Sequence, residues 1–148
     1  MTSKAEWVGP LISWGLVIVG WLVINTQHNT RETRKEIRAA LNDLYEMLNE
    51  IEDDAYKYHT GPGDPVLSRK IKRRVGQIFT RINLAFKNAV ECRCSYEVAT
   101  FRKAVTLHNF DTAVHKPLNQ TDPVFEEITA SRERLINVLE NAFLETYR

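Results

Sequence analysis

Residues 7–24 form an uncharged run of eighteen, WVGPLISWGLVIVGWLVI, with Glu6 the nearest charge before it and Arg31 the nearest after it. At about 1.5 Å per residue a helix of this length covers about 27 Å, close to the roughly 30 Å hydrocarbon core of a bilayer. Only a helix satisfies every backbone N–H and C=O inside one isolated segment, so the run is expected to cross a membrane as a helix. It is apolar all round rather than along one stripe, which disfavours an amphipathic core helix. A cleaved signal peptide would carry a shorter apolar region and a small-x-small cleavage site. The residues that follow, Asn25-Thr26-Gln27-His28, offer no such site. The segment reads as an uncleaved signal anchor.

Basic residues set its orientation. Before the run stands only Lys4 with the amino terminus; after it come Arg31, Arg34, Lys35 and Arg38. The N-terminus is therefore expected outside and the rest in the cytoplasm of a single-pass inner (plasma) membrane protein. Cys92 and Cys94 are too close together to anchor a disulfide framework, in keeping with a reducing compartment. The sequon Asn119-Gln120-Thr121 would be silent there.

Beyond the junction the apolar positions fall into helical seams. Ile37, Leu41, Leu44, Leu48, Ile51, Ala55 and Tyr58 alternate spacings of four and three, a repeat of 3.5 residues. Thr60-Gly-Pro-Gly-Asp-Pro65 ends this helix, with Asp64 as the next N-cap and Pro65 at the first helical position. So short a loop joins antiparallel neighbours. The returning helix carries Leu67, Ile71, Val75, Ile78, Ile82, Ala85 and Ala89 and is expected to end between Glu91 and Ser95. A third begins at Ser95 as N-cap, buries Val98, Phe101, Val105 and Phe110, and is stopped by Pro117. Asp122-Pro123 repeats the cap-and-proline signal and opens the last helix, through Phe125, Ile128, Leu135, Leu139, Ala142 and Phe143. No strand-like alternation interrupts the pattern. The expected fold is all-α: a tail (1–6), a transmembrane helix (7–25), a junction (26–36) and an antiparallel cytoplasmic bundle of about four helices (37–148).

Within the membrane run, Gly9, Ser13 and Gly20 share one side of a helix, and Trp7, Trp14 and Trp21 form a second stripe. Small residues let membrane helices approach, so the glycine side points to self-association. The plainer alternative is that glycine is common in membrane helices and that Trp7 and Trp21 are interface anchors. Ser13 is the one polar side chain inside the run. Any pore would be narrow and apolar, gated by dewetting.

The formal charge of +1 hides an uneven distribution: residues 31–60 carry −3 and residues 61–90 carry +6. The surplus centres on Arg69, Lys70, Lys72, Arg73 and Arg74, with Arg81 beyond. A cationic helix surface of this kind suits phosphates. Lipid phosphates fit least, because a helix over 31–59 running away from the bilayer would place the hairpin tip on the order of 40 Å from it. The competing reading is that these cations fix hairpin register against Glu46, Glu50, Glu52, Asp53 and Asp54, with Glu52 about level with Arg73.

No catalytic motif is present: no G-x-S-x-G, Walker loop, H-E-x-x-H or Rossmann glycine set. Asp111, three residues after His108, is read as an isolated helix-surface pair. Cys92-Arg-Cys94 with His108 and His115 is spaced unlike usual zinc knuckles, and buried thiols are the simpler reading. Neither enzyme activity, metal nor cofactor is expected.

In layout the chain resembles the small single-span membrane effectors of bacterial anti-phage systems, and is similar in plan to the effector of the Hailong type. The resemblance covers the whole chain as architecture and rests on no motif, so no family residue is carried over. It implies a cytoplasmic domain that senses a nucleotide-type signal such as a single-stranded DNA oligomer, and a membrane part that depolarises the cell. Two functional classes follow: an oligomeric, channel-like effector that binds an anionic ligand, or a non-conducting membrane tether whose bundle docks a partner protein. The partners expected are the lipid bilayer, further copies of the chain, and an oligonucleotide or nucleotide, or in the second class a protein.

Overall fold

The computed structural model describes the backbone of residues 8–86, 91–107 and 110–146, and side chains from residue 31 onward except 87–93, 108, 109, 147 and 148. It contains four helices: α1 (Val8–Thr60), α2 (Pro65–Phe86), α3 (Glu91–Thr106) and α4 (Pro123–Thr146). Among the described residues there is no strand, as the absence of period-two alternation requires. Among the residues with described side chains no helix is long and apolar enough to cross a membrane. The apolar run 7–24, with Gly9, Ser13, Gly20, Trp7, Trp14 and Trp21, lies outside them.

The chain divides into two compact units, Met1–Glu36 and Ile37–Arg148. In the first, Lys35 Nζ pairs with Glu32 at 3.1 Å on an exposed surface, a contact worth a few tenths of a kcal/mol at about i,i+3 spacing. The second is an antiparallel bundle, to which α1 contributes residues 37–60. Asp54 and Glu50 of α1 pair with Lys70 and Arg74 of α2, so rising numbers on one helix meet falling numbers on the other. The same holds between α1 and α4, where Arg38 and Tyr45 meet Glu140 and Glu52 meets Thr129 and Arg132. Helix α3 packs on α4 and on α2. Its end meets the end of α1, where His59 Nε2–H donates to the Val105 carbonyl at 3.1 Å; α1 and α3 therefore run the same way.

The core is the set of seams. Leu41, Leu44, Leu48 and Ile51 of α1, Ile71, Ile78 and Ile82 of α2, Phe101 and Val105 of α3, and Leu135 and Leu139 of α4 are all fully buried. Burial of each large aliphatic side chain contributes about 1.5–3 kcal/mol. Two caps start helices where Asp-Pro stands in the sequence. The Val66 N–H donates to Asp64 Oδ1 at 2.8 Å, and the Val124 N–H to Asp122 Oδ1 at 3.1 Å. Such caps contribute about 1 kcal/mol each.

At one end of the unit Glu140 joins α1 to α4. Its carboxylate accepts from Arg38 at 2.6 Å and from the Tyr45 hydroxyl at 2.9 Å, and the Arg38 guanidinium lies 4.1 Å from the Phe143 ring centroid. The Arg38 hydrogen bond holds the Glu140 carboxyl below its usual range. Burial, reinforced by the bond to Glu140, pushes the Tyr45 phenol up.

Helix α3 differs from the sequence expectation at both ends. It starts at Glu91 rather than Ser95, and it ends at Thr106, well short of Pro117. Tertiary contacts explain the early end. Past α3 the chain is drawn across the turn between α1 and α2, where Phe110 packs on Tyr58 with centroids 4.7 Å apart. The Asp111 N–H donates to the Tyr58 hydroxyl at 3.1 Å. Further on, the Leu118 N–H donates to the His59 carbonyl at 2.7 Å, and His115 Nε2–H donates to the Gly61 carbonyl at 2.9 Å. Gly63, at φ 81°, lies under the His115 ring, and a Cβ there would stand 2.7 Å from its Cγ. Asp111 takes φ 52°, a left-handed conformation that Asp tolerates better than most residues. A helix cannot continue through these positions.

Candidate functional site

The six cations marked by the sequence lie on α2, and their neighbours divide them. Positions 70, 74 and 81 fall on the edge toward α1, position 72 on the edge toward α3, and 69 and 73 between, as a period of 3.6 requires. On the first edge Lys70 Nζ sits 2.8 Å from Asp54 Oδ2, and Arg74 reaches Glu50 at 2.7 Å and Asp54 at 3.2 Å. Asp54 is only 5 % exposed, so two cations hold one buried carboxylate. A charge in that position costs several kcal/mol unless paired. These contacts serve the fold.

Lys72 on the opposite edge pairs with the Asp111 carboxylate, which also accepts from the Ser68 hydroxyl at 2.5 Å. Lys72 first, and then Ser68, hold the Asp111 carboxyl below its ordinary range.

Arg69, Arg73 and Arg81 are exposed. Arg69 makes one local bond, from Nε to the Pro65 carbonyl at 3.3 Å. Among the described residues none of the three forms an ion pair. Arg73 borders two surface grooves. One, of about 470 Å³, lies between α1 and α2 and is lined by Arg73, Arg74 and Arg81 together with Asp43, Glu46 and Glu50. The other, of about 490 Å³, is lined by Val66, Arg69, Lys70 and Arg73 with no carboxylate. Val66 is 63 % exposed there. Lys70 is held by Asp54, so Val66 stands beside two open arginines, a surface on which a phosphate and an apolar or aromatic group can both be accommodated.

Glu52, expected level with Arg73, points instead to α4, where Arg132 and Thr129 take its carboxylate. That leaves Arg73 open. The sequence also carries no sign of Arg102, Thr106 or Asp111 as neighbours of the cationic helix. In sequence Asp111 reads as an isolated pair with His108. The association of Arg102, Thr106 and Asp111 with Lys72 depends on how α3 is rotated against α2, which no single helical seam encodes.

Cys94 is buried; Cys92 and His108 lie outside the described side chains. Among the described residues no three His, Cys, Asp or Glu side chains gather as a metal site. No family model, curated protein or solved structure matches this chain.

Proposed function

We propose that the protein is an oligomeric membrane effector whose helical bundle binds an anionic, nucleotide-type ligand and thereby controls permeability through helices formed by residues 7–25. Anti-phage defence is the setting that the architectural resemblance suggests. The observation that carries the ligand half of this reading is the groove of Val66, Arg69, Lys70 and Arg73, which no carboxylate lines. Arg69 and Arg73 are the principal phosphate contacts, with Arg81 extending the cationic track along α2. The membrane half rests on the uncharged eighteen-residue run, with its Gly9/Ser13/Gly20 side as the packing surface between copies.

A second reading, a membrane-tethered scaffold that docks a partner protein and conducts nothing, is favoured by the engagement of Lys70, Lys72 and Arg74 inside the bundle. Binding separates the two. The full chain in detergent should bind a fluorescent single-stranded DNA oligomer with a log–log salt slope of roughly −0.7 per phosphate contacted. Reversing Arg69 and Arg73 together to Glu is expected to weaken binding about 100-fold with unchanged helical content, because neither holds a carboxylate. Equal binding by the double variant would remove the anion site from this face and leave the scaffold as the better account.

A further inference from the structure

We propose that the groove between α2 and α3 is a separate binding site for a dianionic phosphate group, with Lys72 and Arg102 as its cationic walls and the Asp111 carboxylate as the internal anion that phosphate displaces. The groove has a volume of about 400 Å³ and is lined by Lys72, Val75, Gly76, Arg102, Thr106, Phe110 and Asp111. It lies on the α3 edge of α2, away from the carboxylates of α1 that line the α1–α2 groove.

Three observations carry the assignment. Its two cations are unequally served: Lys72 has Asp111, whereas the exposed guanidinium of Arg102 has no carboxylate partner among the described residues. A single carboxylate thus answers two positive charges, and a phosphate dianion would answer both. The floor is open, because a Cβ built on Gly76 would meet nothing within 4 Å. Finally, Asp111 is already held as an anion would be. Ser68 and Lys72 grip its carboxylate, its backbone stands at φ 52°, and the side chain pair is half open to solvent at 54 % and 38 %. A phosphate dianion carries more negative charge than the Asp111 carboxylate and can bond Lys72 and Arg102 together, so phosphate competes with this carboxylate at Lys72. The connection itself stays pinned through Tyr58, His59 and Gly61, so the exchange requires only that the Asp111 side chain swing away.

The probe is inorganic phosphate, titrated at constant ionic strength into the ¹⁵N-labelled full chain in detergent micelles and followed at the amides of Gly76 and Thr106. Saturable shifts at both positions are expected. Arg102→Ala should weaken binding about 10-fold, and Asp111→Asn should tighten it about 10-fold by removing the competing charge. Asn tolerates the left-handed backbone of this position, so that variant keeps its fold, and exposed Arg102 can be shortened without opening the core. Arg73→Ala should leave the phosphate affinity unchanged while weakening the oligonucleotide, which distinguishes this site from the arginine face. Absence of saturation, indifference to Arg102→Ala, or weaker binding by Asp111→Asn would each overturn the proposal.

Discussion

Arg74→Glu is expected to destabilise the bundle by about 3 kcal/mol, the cost of breaking a buried ion pair, and to lower its melting temperature by about 10 °C or more. Arg74 bridges Glu50 at 2.7 Å and Asp54 at 3.2 Å. The substitution would set a third carboxylate beside them, with only Lys70 left to neutralise the buried Asp54. Against a total stability of about 5–15 kcal/mol that is a large fraction. Arg73→Glu, one residue away, removes no ion pair and is expected to shift the midpoint by no more than about 2 °C. Thermal unfolding followed by circular dichroism on the full chain separates them. Equal losses in the two variants would contradict the division of α2 into a structural edge and an open face.

Insertion of four glycines after Gln27 is expected to abolish control of permeability while leaving membrane insertion and ligand binding intact. Gln27 lies within α1, and each glycine inside a helix costs about 1 kcal/mol relative to alanine. In the proposed effector the stretch Asn25–Arg38 carries the response, as tilt of the membrane helix within a packed two-state assembly. The ligand can bias that equilibrium only through its difference in affinity for the two states, so a flexible joint removes the bias without removing the site. Flux through reconstituted vesicles, measured beside anisotropy binding, reads both properties. Ligand-dependent flux of ordinary size in the insertion variant would sink the coupling.

The parts of the fold legible in the sequence were those governed by local rules. Asp64-Pro65 and Asp122-Pro123 start α2 and α4 because an Asp cap and a Pro at the first position act within one turn. The four-and-three spacing of Ile37 to Tyr58 marks a buried face because helix period and burial are linked residue by residue. What sequence missed was set by partners on other helices. Helix α3 ends at Thr106 because Tyr58, His59 and Gly61 hold the chain that follows it, and none of these is a local stop signal. Glu52 and Asp54 both read as acids facing the cationic helix. Only Asp54 does so, since two positions along a helix lie about 200° apart around its axis and Glu52 therefore faces Arg132. The same limit kept Arg102 and Asp111 from being recognised beside Lys72. Residues 69–74 were visible as a cluster, but its division into paired and open cations required the neighbouring helices.

The most direct test of the effector account is potassium efflux from vesicles carrying the full chain, measured with and without a single-stranded DNA oligomer on the side of the bundle. The account predicts that the oligomer changes efflux from wild-type vesicles and has no effect on those carrying the Arg69→Glu, Arg73→Glu variant. An oligomer that binds the wild-type chain with full occupancy yet leaves efflux unchanged would contradict it.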